Sequence, residues 1–503
     1  MPSAQLTLDP RFVVGAVSRR LFGSFVEHLG RCVYDGIYEP GHPSADADGF
    51  RTDVIELIRE LGVSTVRYPG GNFVSGFRWE DSVGPRDERP TRLDLAWHSI
   101  ESNQVGFDEF AGWLEKVGSE LMYAVNLGTR GVQEALDVVE YANIRSGTAL
   151  SEARAKNGHA DPYCVKMWCL GNEMDGPWQL GHRSAEDYGK IAAQTAKAMR
   201  QLDPDVELVV CGSSSAQMPT FGEWEHTVLL HTYDDVDFIS CHAYYEELEG
   251  DTASFLASAT NMDHFIESVV ATADAVRAQL GKAKRINVSF DEWNVWYLTR
   301  FQSLAANNTI EEWPTAPRLL EDVYSVLDAV VVGNLLISLL KHADRVTAAS
   351  LAQLVNVIAP IMTEPGGDAW RQTTFFPFAI TSRLAVGEAL EVKLSSESYH
   401  TAKYGEVPLI DAVATHDPAT GNTALFLVNR SIESSVNITV DIRGLGDIAV
   451  LETHTLADSD IYAVNSAVNQ LRVGVRPNES VSIADGTLSI ELPAVSWTAI
   501  SLG

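Results

Sequence analysis

Residues 165–176 read VKMWCLGNEMDG, a mostly apolar run that ends in a polar Asn-Glu pair, and residues 286–296, INVSFDEWNVW, show a similar arrangement. A short apolar run bounded in this way is typical of a strand buried in a parallel sheet that helices cover. Polar groups directly after such a strand lie at its carboxyl end, where the active sites of α/β barrels form. These two stretches therefore predict both a parallel sheet and its functional edge.

The same alternation extends through most of the chain. Strand-like runs alternate with longer segments in which apolar residues recur every three or four positions, as in Asp53–Leu61 and Ser184–Leu202. Eight strand–helix units predict an α/β fold that closes into a (β/α)8 TIM barrel over residues 16–383. The predicted strands are Leu21–Val26, Val63–Tyr68, Leu121–Leu127, Val165–Leu170, Glu207–Cys211, Phe238–His242, Ile286–Phe290 and Thr347–Leu351.

After residue 383 the pattern changes to short strand-like runs separated by turn residues such as Asp417-Pro418 and Gly421-Asn422. We interpret residues 384–503 as a C-terminal antiparallel β-sandwich domain. Residues 1–15 contain a further strand-like run that could pair with this domain instead of the barrel. The predicted sandwich strands are Leu390–Leu394, Val407–Ala414, Ala424–Val428, Val436–Ile442, Ala449–Thr455, Leu471–Val475 and Leu488–Leu492.

Composition and charge restrict the partners. The 503 residues, 45% hydrophobic and 21% charged, are typical of a folded soluble protein that is long enough for two domains. The 37 Lys and Arg against 68 Asp and Glu give a net charge of −31, which repels phosphate backbones and anionic lipid surfaces. We therefore expect neither nucleic acid nor a membrane as a partner, whereas a neutral sugar is compatible with this charge.

Three features favour a cytoplasmic location. Asp9 and Arg11 interrupt the apolar runs near the amino end, so we predict no signal peptide. The longest apolar region, Val326–Leu340, contains Asp328 and Asn334 and is predicted to be a buried or amphipathic helix, not a membrane span. The five cysteines form no C-x-x-C pair, which argues against a disulfide framework and a zinc site.

Polar or aromatic residues follow six of the eight predicted strands. Among them, Glu173 and Glu292 lie at the ends of the fourth and seventh strands, which approach each other across a closed barrel. Glycosidic cleavage needs one carboxylic acid to protonate the leaving oxygen and one carboxylate at the anomeric centre, about 5–5.5 Å apart when configuration is retained. The amide of Asn172 and the rings of Trp293 and Trp296 add groups that bind a neutral sugar.

Other reaction classes lack their signatures. The sequence has no H-E-x-x-H motif and no Cys/His ligand pair, so we expect no metal and no cofactor. The glycine-rich residues 70–76 have neither the Gly-Lys-Ser/Thr of a phosphate loop nor the G-x-G-x-x-G spacing, and no G-x-S-x-G motif indicates an esterase. His28, His98 and His242 could be catalytic or could be hydrogen-bonding scaffold residues.

Four segments of the chain resemble the α-L-arabinofuranosidases of glycoside hydrolase family 51, and the similarity covers nearly the whole sequence. Each segment belongs to a different predicted barrel strand, and their order is that of the family. They are Phe25–Arg31 (FVEHLGR), Arg67–Phe73 (RYPGGNF), Gly171–Trp178 (GNEMDGPW) and Asp291–Asn294 (DEWN).

The resemblance implies a retaining, exo-acting hydrolase that removes terminal non-reducing α-L-arabinofuranosyl residues from arabinan- or arabinoxylan-derived oligosaccharides by double displacement. Glu292 would be the nucleophile and Glu173 the general acid/base. The family also implies a C-terminal β-sandwich, no metal, an intracellular enzyme and a homo-oligomer, often a hexamer. The residues implied to contact or position the sugar are Glu27, Arg67, Asn72, Asn172, Tyr244 and Gln353, with Trp97 and Trp296 shaping the pocket and His242 supporting the nucleophile.

Two alternatives stay open at this point. Retaining β-xylosidases and β-glucanases use the same carboxylate pair on the same fold, because the loops decide sugar specificity. A non-catalytic glycan-binding protein would lose one carboxylate, whereas both Glu173 and Glu292 are present. In an enzyme, Glu173 must be protonated while Glu292 is ionised, so their surroundings must differ, and Arg67 is the predicted cation beside Glu292.

Overall fold

A closed barrel of eight parallel strands forms the larger part of the computed structural model, which describes residues 2–306 and 312–503. The predicted (β/α)8 barrel is therefore confirmed. Its strands are Gly23–Phe25, Thr65–Tyr68, Glu120–Ala124, Met167–Cys169, Glu207–Val210, Phe238–Tyr245, Asn287–Val295 and Val346–Ala352.

The sixth and seventh barrel strands are longer than predicted. They continue to Tyr245 and Val295, so Glu292 lies within a strand instead of after it. The register between the two strands shifts between Ser240 and His242, which places His242 opposite Glu292. The apolar runs end earlier than the strands because the last residues of each strand carry polar side chains that bond to one another inside the barrel.

Helices surround the barrel and bury their apolar faces against it. The first begins after Arg51, buries five apolar side chains and ends at Gly62, whose left-handed backbone (φ 76°) is typical of a helix C-terminus. The first predicted strand is short because Arg19–Phe22 forms a 3-10 helix. The α-helices are Thr52–Leu61, Phe107–Val117, Val132–Asn143, Ala149–Lys156, Ala185–Leu202, Glu223–Thr232, Thr252–Leu256, Ser258–Leu280, Leu298–Ala306, Val326–Lys341 and Phe375–Leu384.

The second domain consists of two packed sheets. All of its strand pairs are antiparallel except that of Ser3–Thr7 with Val436–Asp441, which is parallel. The boundary between residues 383 and 384 stays a prediction. One sheet contains Lys393–Ser396, Ser3–Thr7, Val436–Asp441, Thr487–Leu492 and Ser482–Ala484, and the other contains Val13–Ala16, Glu388–Leu390, Ile410–His416, Thr423–Asn429, Ser496–Leu502 and Val450–Leu456.

The predicted strand Leu471–Val475 is wrong. Leu471 points into solvent with 84% of its surface exposed, and the backbone N–H of Val473 bonds to the side chain of Asn465 (2.8 Å) instead of to a neighbouring strand. The alternation of apolar residues in this segment therefore reflects a loop whose backbone is held by a side chain. Strand Ser496–Leu502, which the sequence analysis did not single out, lies in the interior of the six-stranded sheet.

Helix Val326–Lys341 packs between the barrel and the sandwich, and every residue from 326 to 340 is buried. Its polar Asn334 is bonded on both sides, to Oδ2 of Asp411 (2.8 Å) and to the guanidinium of Arg430 (2.7 Å). This bonding explains why an amide interrupts the apolar run. Within the described ranges, the chain contains no helix of sufficient length and apolarity to span a membrane.

Gly333 lies directly against the second domain, because a methyl group there would lie 2.3 Å from Cδ1 of Trp497. We predict that Gly333→Ala lowers the free energy of unfolding by about 1–3 kcal/mol through overpacking, although Ala is favoured over Gly within a helix by about 1 kcal/mol. Gly112→Ala, where a methyl group meets nothing within 4 Å, is the matched control. It should stabilise by about 0.4–1 kcal/mol. Urea unfolding measures both, and equal stabilisation of the two variants would contradict the packing.

Candidate active site

Two carboxylates face each other at the carboxyl end of the barrel, Glu173 after the fourth strand and Glu292 in the seventh. One oxygen of each, together with a ring nitrogen of His242, lies within 4.8 Å of the others. Retaining glycosidases hold their carboxyl groups about 5–5.5 Å apart, whereas inverting enzymes leave about 6.5–9.5 Å for a water molecule. The nearest oxygens of the two carboxylates are thus closer than the range that leaves room for such a water molecule, which favours a double displacement.

Glu292 is held by two donors, of which Arg67 is buried and Tyr244 is partly buried. Its Oε1 accepts a hydrogen bond from Nη1 of Arg67 (2.8 Å), and its Oε2 accepts one from the hydroxyl of Tyr244 (2.7 Å). Burial raises the pKa of Glu292, and the positive charges of His242 and Arg67 oppose this rise. Both oxygens are thus fixed in position by residues that have little freedom to move.

Arg67, in the second strand, connects three strands of the barrel. Besides Glu292 it donates to Oδ1 of Asn172 (2.7 Å), and its Nε lies 3.8 Å from Oδ2 of Asp291. Burial alone would lower the pKa of Arg67, but the carboxylates of Asp291 and Glu292 raise it well above its usual range. The amide of Asn172 in turn lies 3.4 Å from Oδ1 of Asn72, so the second and fourth strands share one network.

Glu173 has a left-handed backbone, with φ at 44°, which is uncommon for a residue other than glycine and clusters at functional sites. Its Oε1 lies 2.9 Å from Nδ1 of His242, and its Oε2 accepts a hydrogen bond from the indole N–H of Trp178 (2.7 Å). Both oxygens of this carboxylate are therefore occupied in the free protein, one by a buried partner and one by a partner at the surface.

His242 connects the two carboxylates to a further acid. Its Nε2 lies 2.9 Å from Oδ1 of Asp291, on the side away from Glu173. Burial would lower the pKa of His242, but the charge of Glu292 and the hydrogen bonds to Asp291 and Glu173 raise it to about 10. At neutral pH the ring is therefore a cation, and both of its N–H groups donate.

Glu27 provides a third buried carboxyl group near the pair. Its Oε1 accepts hydrogen bonds from the backbone N–H of Phe73 (2.8 Å) and from the indole N–H of Trp97 (2.9 Å), and its Oε2 from Nε2 of Gln353 (3.2 Å). Burial raises the pKa of Glu27 to about 8. Burial thus favours the protonated form of Glu27, whereas the hydrogen bonds from Phe73 and Trp97 favour its carboxylate form.

Aromatic side chains form the wall of the site. The rings of Tyr244 and Trp296 pack edge to face with their centroids 5.0 Å apart. The ring of Phe301, on helix Leu298–Ala306, lies 6.1 Å from that of Trp296 and 6.5 Å from that of Trp97, so it joins the two tryptophans that the family resemblance implies for the pocket. Such faces suit the C–H surface of a sugar ring.

The three histidines differ in their surroundings. His28 is buried and lies 2.8 Å from both Glu101 and the hydroxyl of Tyr68, whereas the ring of His98 stacks on Trp313. Of the three, His242 is the one that contacts Glu173 and Glu292.

The structure places the predicted residues at one end of the barrel, where each of them contacts another member of the set. The functional roles assigned to them stay predictions. Sequence reasoning gave no role to Asp291, Trp178 or Phe301. Asp291 and Trp178 stand within motifs that it quoted, but no spacing rule indicates that they would contact His242 and Glu173. The predicted residues placed here are Glu27, Arg67, Asn72, Trp97, Asn172, Glu173, His242, Tyr244, Glu292, Trp296 and Gln353.

Among the described residues, Glu173, His242 and Glu292 are the group whose ligand atoms are close enough to hold a metal ion. The guanidinium of Arg67 at 2.8 Å from Glu292 and the cationic ring of His242 oppose a further positive charge there. That the reaction needs no metal stays a prediction.

We predict that Arg67→Gln moves the acid limb of the kcat/KM profile to higher pH. The guanidinium lowers the pKa of Glu292, so its removal raises that pKa, and the ionised carboxylate is lost at a higher pH as the solution is acidified. Arg31→Gln removes another buried arginine, paired with Glu321 at 2.7 Å, and should leave the limb in place. An unmoved limb in Arg67→Gln would contradict this role.

Comparison with known proteins agrees with this geometry. Two family models match the chain, one described as the α-L-arabinofuranosidase 1 domain over residues 57–252 and one as the α-L-arabinofuranosidase C-terminal domain over residues 291–496. Glu173 falls in the first range and Glu292 in the second.

Two relatives are each 60% identical to this chain. One is an intracellular exo-α-(1→5)-L-arabinofuranosidase from Streptomyces lividans, matched over 99% of this chain and 75% of the relative. The other is an exo-α-(1→6)-L-arabinofuranosidase from Bifidobacterium longum, matched over 99% and 97%. The solved structure of a family 51 α-L-arabinofuranosidase from Bifidobacterium longum covers all of both chains with a TM-score of 0.96 at 49% identity. The chain belongs to glycoside hydrolase family 51 and is one of its retaining, exo-acting α-L-arabinofuranosidases.

Proposed function

We propose that Glu292 is the nucleophile and Glu173 the general acid/base in the hydrolysis of α-L-arabinofuranosides. The observation that carries this assignment is the pair of facing carboxylates within 4.8 Å. In the first step Glu292 attacks the anomeric carbon while Glu173 gives its proton to the glycosidic oxygen, and the bond between that carbon and oxygen breaks. In the second step Glu173 takes a proton from water, which attacks the same carbon and releases Glu292.

The surroundings of the two carboxylates support this division of roles. Glu292 faces two cations and a tyrosine hydroxyl, and these favour the ionised form that a nucleophile needs. Glu173 lies nearer the surface, where its proton can reach a leaving group and where water can enter. The cation of His242 stands between them and holds both in place.

We assign the binding of the arabinofuranosyl unit to the polar residues of the same network and to its aromatic wall. Glu27, Asn72, Asn172 and Gln353 offer carboxyl and amide groups for sugar hydroxyls, and their mutual hydrogen bonds hold them in fixed orientations. Trp97 and Trp296 form the aromatic wall.

The natural bond is proposed to join arabinofuranose to a primary hydroxyl. One relative at 60% identity is named for (1→5) bonds and the other for (1→6) bonds, and in both linkages the leaving oxygen sits on an exocyclic CH2 group. Short arabino-oligosaccharides inside the cell are the proposed substrates, since several relatives are named intracellular. A homo-oligomer, with six subunits as the family suggests, belongs to the same proposal, and light scattering of the purified chain tests it.

We predict that the protein releases nitrophenol from a nitrophenyl α-L-arabinofuranoside and not from the β-D-xylopyranoside. Glu292→Ala should lower kcat on the arabinofuranoside by about 10⁴-fold or more, because no covalent intermediate forms. Release from the xyloside alone would support a β-xylosidase on the same fold, and release from neither by the wild type would contradict the assignment of both carboxylates.

Glu173→Ala tests the acid/base role separately. A nitrophenolate leaves without much help, so loss of the acid should slow arabinobiose cleavage by about 10²–10⁴-fold and affect the first step on the aryl substrate far less. Added azide should accelerate turnover of the aryl substrate by this variant, because azide attacks the anomeric carbon without a general base. The product should be an arabinosyl azide with the configuration of the substrate. No azide effect, together with unchanged arabinobiose cleavage, would contradict the role of Glu173.

A further inference from the structure

Two adjacent acids of the seventh strand, Asp291 and Glu292, both reach the ring of His242, at 2.9 and 3.5 Å. In a regular strand, successive side chains point to opposite faces. The register against the sixth strand shifts between Ser240 and His242, where the seventh strand has one residue more than its neighbour. A bulge of this kind re-aims the side chains around it and is frequent next to active sites. The bulge therefore brings Asp291 to the same side as Glu292.

Asp291 lies behind the reacting groups and not among them. Its side chain is 1% exposed, and its Oδ1 lies 2.9 Å from Nε2 of His242. Its Oδ2 lies 3.8 Å from Nε of Arg67. A carboxylate buried this deeply is stable as an ion only beside cations. Asp291 therefore acts on a substrate only through the groups that it holds.

The ring of His242 has a carboxylate oxygen at each of its nitrogens. Its Nδ1 lies 2.9 Å from Oε1 of Glu173, opposite the nitrogen that faces Asp291. A neutral imidazole has one N–H and would turn a lone pair towards one of these oxygens, whereas the cation donates to both. Burial alone would lower the pKa of His242, but the charge of Glu292 and the hydrogen bonds to Asp291 and Glu173 raise it to about 10.

The acids around this ring differ in what the reaction does to their charge. Glu173 loses and regains a proton, and Glu292 is an uncharged ester in the glycosyl intermediate. Asp291 forms no bond in either step, so of the two acids bonded to the ring it is the one whose charge stays constant. The charged groups that face the ring are Glu173 and Asp175 after the fourth strand and Asp291 and Glu292 in the seventh, with Arg67 beside the last two.

From these contacts we infer that Asp291 is a positioning residue that keeps both ring nitrogens of His242 protonated throughout the reaction. The Nδ1–H then holds Oε1 of Glu173, so that Oε2 alone gives the proton to the leaving oxygen and later takes one from water. Without the charge of Asp291 the ring becomes neutral, and Glu173 shares its proton with Nδ1 instead. The role of Asp291 rests on the proposed role of Glu173.

Asp291→Asn tests this role, because it keeps the size of the side chain and removes its charge. The first step on nitrophenyl α-L-arabinofuranoside needs little acid assistance, so the burst of nitrophenol should slow by less than about tenfold. Steady-state turnover should fall by about 10²-fold or more, because a Glu173 that retains its proton cannot activate water. Added azide, which needs no general base, should restore most of the turnover.

A spectroscopic measurement separates this role from a merely structural one. Solid-state ¹⁵N NMR of histidine-labelled protein distinguishes protonated from unprotonated ring nitrogens, and the difference from a His242→Gln sample assigns the signals of His242. At pH 7 the wild type should show both nitrogens protonated, and Asp291→Asn should show one. The wild-type spectrum alone tests the assignment if the variant fails to fold.

Asp108→Asn is the matched control, since it removes another buried carboxylate, which accepts hydrogen bonds from the hydroxyls of Tyr141 (2.8 Å) and Tyr163 (2.7 Å) on a helix outside the barrel strands. It should leave turnover and the signals of His242 at their wild-type values.

A neutral His242 in the wild type, an Asp291→Asn variant that keeps both ring protons, or one with unchanged turnover would overturn the role of Asp291. Failure of the proposed function looks different, because Glu173→Ala would then cleave arabinobiose as fast as the wild type.

Discussion

The active site depends on two buried cations that stand between three carboxyl groups. Arg67 contacts Glu292 and approaches Asp291, and His242 contacts Glu173 and Asp291. Carboxylates this close in a low-dielectric interior repel one another and lose their hydration, so the cluster is stable only because each cation lies between two of them. The barrel supplies this order, since its parallel strands bring the five side chains to one end from different parts of the chain.

The two carboxylates proposed to be catalytic are held in contrasting ways, and this contrast corresponds to the roles proposed for them. Glu292 lies within a strand and is bonded by a buried arginine and a partly buried tyrosine, so both of its oxygens have fixed positions. Glu173 follows a strand on a left-handed backbone and has one partner at the surface. A nucleophile benefits from rigidity, whereas an acid/base must exchange a proton first with a leaving group and then with water.

The second domain is joined to the barrel by a buried helix and not by a flexible linker. Helix Val326–Lys341 contacts strands of both domains, and its one internal amide, Asn334, bonds to Asp411 and Arg430 of the sandwich. The amino-terminal strands Ser3–Thr7 and Val13–Ala16 also pair with sandwich strands. The two ends of the chain therefore meet in one domain, with the barrel formed by the residues between them.

The sequence by itself determined the barrel, the two carboxylates and the family, because apolar periodicity records which residues are buried and because each motif is local to one strand end. It predicted a strand at Leu471–Val475, where apolar residues alternate although no neighbouring strand pairs with them. It also placed Glu292 after the seventh strand, because the last residues of that strand include polar side chains and so lack the apolar pattern. Only the tertiary structure decided which groups touch the carboxylates. Arg67 and Glu292 are 225 positions apart, and Glu173 and His242 are 69 apart, so these contacts depend on barrel closure and strand register. Even the contact of Trp178 with Glu173, five positions apart, required the folded turn, because nothing in the spacing shows that the indole lies back over Gly176.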